Sequence, residues 1–181
     1  MNSEIELGLI EKCRISKEML NSESNKSSWG VGGKRGGFEY KPPTGWIGIG
    51  IKVLNLYENN DWLAHNENKN EWAVAYISVN EKIIGNILKD GFKPALRLVI
   101  ENDDDIYHPG NKVGKGVCCS PNAEIIEPFS GLIEIKGKKY KIGLMLRVKP
   151  DKIRCSKNQP NFWVLNPQEI RPYRILLKEI K

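Results

Sequence analysis

Residues 132–148, L-I-E-I-K-G-K-K-Y-K-I-G-L-M-L-R-V, read as two β-strands joined by a short turn, and they decide the class of the fold. Leu132–Ile135 is one run of strand formers and K-G-K-K at 136–139 supplies the turn. From Tyr140 to Val148, residues Ile142, Leu144, Leu146 and Val148 then recur at every second position. A period of two puts those side chains on one face of an extended chain. Further strands are expected at Phe162–Leu165 and Tyr173–Ile180, so the C-terminal third is β-rich and hairpin-like.

Working back from there, Gly116–Ser120 reads as a short strand and Glu71–Val79 (EWAVAYISV) as a longer one. In 47–53, Ile47, Ile49, Ile51 and Val53 alternate with Gly48, Gly50 and Lys52, a half-buried strand whose glycines admit close backbone approach. Ala95–Ile100 is expected to be extended, and Glu101–Gly110 to be an acidic turn. Three helices are predicted. One is at 3–20, with a Ser3–Glu6 capping spacing, the stripe Leu7, Ile10, Ile15 and Met19, and Gly8 as an interruption. Another, at 81–89, is capped by Asn80 and stopped by Gly91, and a short one lies at about 122–129.

Strands outnumber helices and do not alternate with them, which favours an α+β domain with a mainly antiparallel sheet over a βαβ arrangement. The length of 181 residues suits one core. Residues 21–37 (NSESNKSSWGVGGKRGG) are rich in Ser, Asn and Gly, so the expected organisation is an N-terminal helix and linker over 1–40 and a folded domain over 41–181. The tract is not a phosphate loop, because Lys34 is followed by Arg35 and no strand precedes it.

The formal net charge of +6 suits an anionic partner, and nucleic acid is one, but the cations are scattered and no linear motif singles it out. The cysteines Cys13, Cys118, Cys119 and Cys155 form no C-x-x-C pair, and His65 and His108 stand at no zinc spacing, so no metal is expected. Free thiols imply a reducing compartment, cytoplasmic or nuclear. No run is long and apolar enough for a membrane span, and the N-terminus lacks a signal-peptide pattern. Asp103, Asp104 and Asp105 in one solvated turn rarely converge on a cation.

Taken in order, G-W-I-G-I-G-I-K-V (45–53), W-A-V-A-Y (72–76), I-I-G-N-I-L-K-D-G-F (83–92), H-P-G-N-K-V-G-K-G-V-C-C-S-P (108–121), L-M-L-R-V-K-P (144–150) and E-I-R-P-Y-R-I-L (169–176) resemble ADP-ribosyltransferase-like domains of the poly(ADP-ribose) polymerase type, found in protist and fungal proteins and near neuralized-type repeats. The resemblance covers roughly residues 40–181 and implies a compact, split, mainly antiparallel β-sheet core with a few short helices. It also implies NAD as cofactor in active members. There a His-Gly pair holds the ribose and the nicotinamide amide, a Tyr stacks on the nicotinamide, and a late Glu steadies the positive ribose centre.

Carried over, the His-Gly pair falls on Ile77 and Ser78, where A-Y-H-G reads A-Y-I-S. The strand tyrosine after Gly116 falls on Cys118, a second aromatic falls on Phe129, and the acid falls on Glu169. Isoleucine has no donor or acceptor, and a thiol has no ring face, so two anchors lose their chemistry. Plain strand core for Ile77 and a loop acid or Arg171 partner for Glu169 are the competing readings. The sequence therefore points to a degenerate, non-catalytic domain that binds a protein partner or, weakly, a nucleotide. The alternative is an active NAD-dependent transferase retaining Glu169 as its catalytic residue, and a basic nucleic-acid-binding domain is a third.

Overall fold

The computed structural model describes residues 2–94 and 100–181. In chain order it contains α1 (Asn2–Cys13), β1 (Gly33–Arg35), β2 (Phe38–Tyr40), β3 (Ile47–Gly50), β4 (Ala73–Ser78) and α2 (Ile84–Asp90). There follow β5 (Val117–Cys119), α3 (Ala123–Ile126), β6 (Gly131–Ile135), β7 (Lys138–Val148), β8 (Arg154–Cys155), β9 (Trp163–Leu165) and β10 (Ile170–Glu179). Short 3-10 turns link several of them. The expected α+β class and mainly antiparallel sheet are what the chain adopts, since every ladder is antiparallel.

The long strand β7 is the axis of the five-stranded sheet β3-β10-β7-β4, with β6 also on β7. Its first half pairs with β6 across the Lys136–Gly137 turn, where both residues have positive φ, and its second half pairs with β4. One strand thus serves two partners along one edge, while β10 takes the other. Ile142, Leu144, Leu146 and Val148 are fully buried as alternation predicts, but Met145 and Arg147 on the opposite face are buried too. Strands β5, β9 and β8 form a smaller sheet, joined to β4 by the Tyr76–Ser120 bridge.

The first helix is shorter than expected. It ends at Cys13 because Arg14 takes a left-handed conformation (φ 54°) that turns the chain. Its buried stripe is Ile5, Leu9 and Cys13 rather than one containing Leu7, which is exposed. Gly8 marks where α1 meets β6, since a Cβ there would lie 2.5 Å from Ile135 Cγ2. The helix expected from 81 starts at Ile84, after a turn in which Asn80 Oδ1 accepts the Lys82 and Ile83 N–H groups, and Gly91 stops it as predicted. The segment expected to be extended at 95–100 lies, except for Ile100, outside the described residues.

The tract read as a linker packs as part of the body. Residues 20–26 run along the free edge of β3, with Leu20–Ile51 and Lys26–Gly48 bridges and the Asn25 side chain accepting Gly50 N–H at 2.8 Å. The approach is as close as the strand glycines imply, because a Cβ on Gly50 would lie 1.8 Å from Ser24 Oγ and one on Gly48 2.6 Å from Trp29. Residues 33–40 then form a hairpin whose two-residue loop, Gly36-Gly37 (φ 59° and 83°), has the positive φ values of a type I′ turn. Ile5, Leu9, Cys13, Ile15, Leu20 and Tyr40 join one continuous core with residues beyond 41, so the expected boundary at 40 does not divide the core. Among the described residues no helix is long and apolar enough to cross a membrane.

Candidate functional site

The positions carried over from the resemblance lie on several elements, with Ile77–Ser78 and Cys118 on adjoining strands linked by the Tyr76–Ser120 bridge. Ile77 pairs with Leu144 and Ser78 with Gly143 in the large sheet, and Ile77 packs onto the main core. In β5, Val117 and Cys119 enter that core, so alternation turns Cys118 to the other side, opposite Val164 and the small cluster of Ile100 and Val113. Gly116 is wedged against the β9 backbone, where a Cβ would lie 2.6 Å from Leu165 O, and Phe129 is 69% exposed. Five surface cavities of about 220 to 630 Å³ are lined without Ile77, Ser78, Gly116, Cys118 or Phe129.

Glu169 does border two of those cavities, but its carboxylate is committed to a capping box. Its Oε2 accepts Asn166 N–H at 2.8 Å and closes the turn before β10. The ion pair considered for it goes elsewhere, since Arg171 Nη2 bonds both Glu58 oxygens at 3.0–3.1 Å. The three consecutive aspartates diverge: Asp103 accepts from Ser156, Asp104 pairs with Lys112, and Asp105 holds His108 Nδ1 at 2.7 Å. Among the described residues no group of three His, Cys, Asp or Glu side chains is placed to hold a metal ion.

Both ring nitrogens of His108 are engaged, Nδ1 by Asp105 and Nε2 by the Asp151 carbonyl, and neither bonds Cys118. Burial pushes the Cys118 thiol up to about 11 and Cys13 up to about 12, the reverse of an activated nucleophile. All four cysteines are free, and only Cys118 is less than fully buried. Alkylation without reductant is therefore expected to add four groups in denaturant, and Cys118 is expected to label first in the native protein. Mass spectrometry of timed samples checks both, and two missing groups in denaturant would mean a disulfide.

Two buried arginines organise the sheet face against the loop of residues 57–72. Arg147, 4% exposed, donates to the carbonyls of Leu63, Ala64 and Trp72 at 2.7–3.0 Å and has no carboxylate partner. Arg171 stacks on Tyr57 at 3.9 Å and Trp72 at 4.2 Å, with Trp62 at 5.1 Å. Glu71 faces the hairpin turn, and its Oε2 accepts Gly36 N–H at 2.7 Å.

Above Arg147 lies a cavity of about 340 Å³, between the 20–29 segment, the β1–β2 hairpin and the large sheet. Lys26, Arg35, His65, Arg147 and Arg174 line it together with Trp29, Tyr40 and Tyr173, and no acidic side chain does. The rings hold the guanidinium groups: Arg35 lies 4.7 Å from the Tyr40 centroid, and Arg174 lies 5.0 Å from Tyr173 and 5.8 Å from Trp29. Among the described residues Lys26, Arg35, Arg147 and Arg174 enter no salt bridge. Sequence reasoning registered these cations only as scattered charge, because they come from residues 26 to 174 and meet only in the fold.

No protein-family model matches this chain, and a search of curated proteins finds no match.

Proposed function

We propose that this chain is an ADP-ribosyltransferase-like domain that has lost NAD turnover and serves as a binding module for a protein partner. The motif order over residues 40–181 and the mainly antiparallel α+β architecture support the likeness. The observation that carries the loss of chemistry is the state of the anchors. Ile77 offers no ribose hydrogen bond, Cys118 no ring, and the Glu169 carboxylate is held in a cap.

One lost hydrogen bond and one lost stacking contact weaken NAD binding by about one to two orders of magnitude. A misaligned ribose costs on the order of a hundredfold more in rate. Labelled NAD at millimolar concentration is expected to give neither nicotinamide release nor automodification above background. Turnover by the native chain that vanishes in Glu169→Gln would overturn the reading. Activity gained only by Ile77→His with Cys118→Tyr would support it.

A further inference from the structure

We propose that the cationic cavity under the 20–40 segment is a binding site for a phosphorylated small molecule of the nucleoside diphosphate class. The inference stands on this cavity alone and holds whether or not the domain is ADP-ribosyltransferase-like. Like charges outnumber their compensation there: Lys26, Arg35, Arg147 and Arg174 converge, no carboxylate lines the cavity, and the buried Glu71 carboxylate, which acts on Arg147 from outside the lining, supplies a single negative charge against four positive ones. Gathering them opposes folding unless something else favours the arrangement, since like charges repel most where water is partly excluded.

The donors left over point to the ligand. Among the described residues, Arg174 uses Nε on the Ser24 carbonyl and neither Nη group has a partner, and Arg35 uses Nη1 on the Lys34 carbonyl while its Nη2 has none. Arg147 Nε is buried and also has no partner. Guanidinium forks match carboxylate and phosphate alike. Charge separates the two: a carboxylate supplies one negative charge, whereas a phosphate monoester carries about −1.5 to −2 and a diphosphate more. Three arginines and a lysine suit the larger charge.

The rest of the cavity sets the remainder of the ligand. Ile51, Val53, Leu54, Leu63 and Val74 add apolar lining, which suits a flat ring more than a second polyanion. The volume of about 340 Å³ lies at the small end of ligand pockets and suits a mononucleotide.

Titration calorimetry of the full chain at low ionic strength tests this with inorganic pyrophosphate, ADP, adenosine and a glutamate-rich peptide. ADP is expected to bind, pyrophosphate more weakly, and adenosine not at all, with affinity falling as salt rises. Arg35→Gln with Arg174→Gln should lower ADP affinity by about 10- to 100-fold. The control pair Lys112→Gln with Lys138→Gln removes the same charge from exposed ion pairs elsewhere and should leave affinity unchanged. If the arginine pair does not fold, Lys26→Gln alone should weaken ADP several-fold. Absence of ADP and pyrophosphate binding at millimolar concentration, equal losses in both double variants, an unaltered affinity in Lys26→Gln, or binding of the acidic peptide alone would each overturn the assignment.

Discussion

Arg147→Met is expected to lower the unfolding free energy by about 3–5 kcal/mol, because three carbonyls lose their donor at about 1–3 kcal/mol each where they are buried. The guanidinium donates to three carbonyls, of Leu63, Ala64 and Trp72, and lies within 3.4 Å of a fourth, that of Trp62. Methionine matches the length of the stem and keeps the apolar contacts, so the loss reports on the carbonyls left without donors, each worth about 1–3 kcal/mol when buried. Replacing an entire ion pair with apolar groups is often neutral, but here the acceptors are backbone and cannot be removed. Arg147→Lys should recover little, because a single ammonium cannot span the fork that the 62–64 turn and Trp72 present. Urea unfolding followed by tryptophan fluorescence measures both variants. A loss below about 1 kcal/mol for Arg147→Met would show that water satisfies those carbonyls.

Gly36→Ala and Gly37→Ala should differ sharply although they are neighbours in one turn. Both positions have positive φ, so alanine at either costs about 1–2 kcal/mol in backbone strain. Around Gly37 nothing lies within 4 Å of an added Cβ, whereas at Gly36 that atom would stand 2.6 Å from Ala73 N and 2.7 Å from Pro150 Cγ. Pushing the hairpin off the sheet adds about 1–3 kcal/mol at Gly36. It also lengthens the Gly36–Glu71 hydrogen bond and moves Arg35 and Tyr40 away from the cationic cavity. The expected loss is therefore about 2–5 kcal/mol for Gly36→Ala against about 1–2 for Gly37→Ala. Comparable unfolding midpoints for the two would mean that the hairpin tip is not seated on β4.

The hairpin shows how a local signal can be outweighed. R-G-G-F at 35–38 carries the two-residue Gly-Gly loop that favours a type I′ turn, but the surrounding Ser, Asn and Gly make the whole tract read as linker. What orders it is distant in sequence: Glu71 at the turn, β3 along the strap, and Trp46 accepting the Trp29 N–H at 2.8 Å. Arg147 is a second case. Its strand was legible from the alternation of Ile142, Leu144, Leu146 and Val148, but an arginine on the other face reads as solvent-facing until the turn at 62–64 covers it.

The sequence by itself determined the α+β class, the antiparallel strands and the Gly91 stop, because periodicity and turn residues are local properties. Only the tertiary structure decided that Glu169 caps a turn, that Cys118 faces away from the core holding Ile77, and that Lys26, Arg35, Arg147 and Arg174 meet at one cavity. Those facts depend on which residues far apart in the chain come within a few ångströms, and strand pairing across the β7 axis sets those distances where no linear spacing records them.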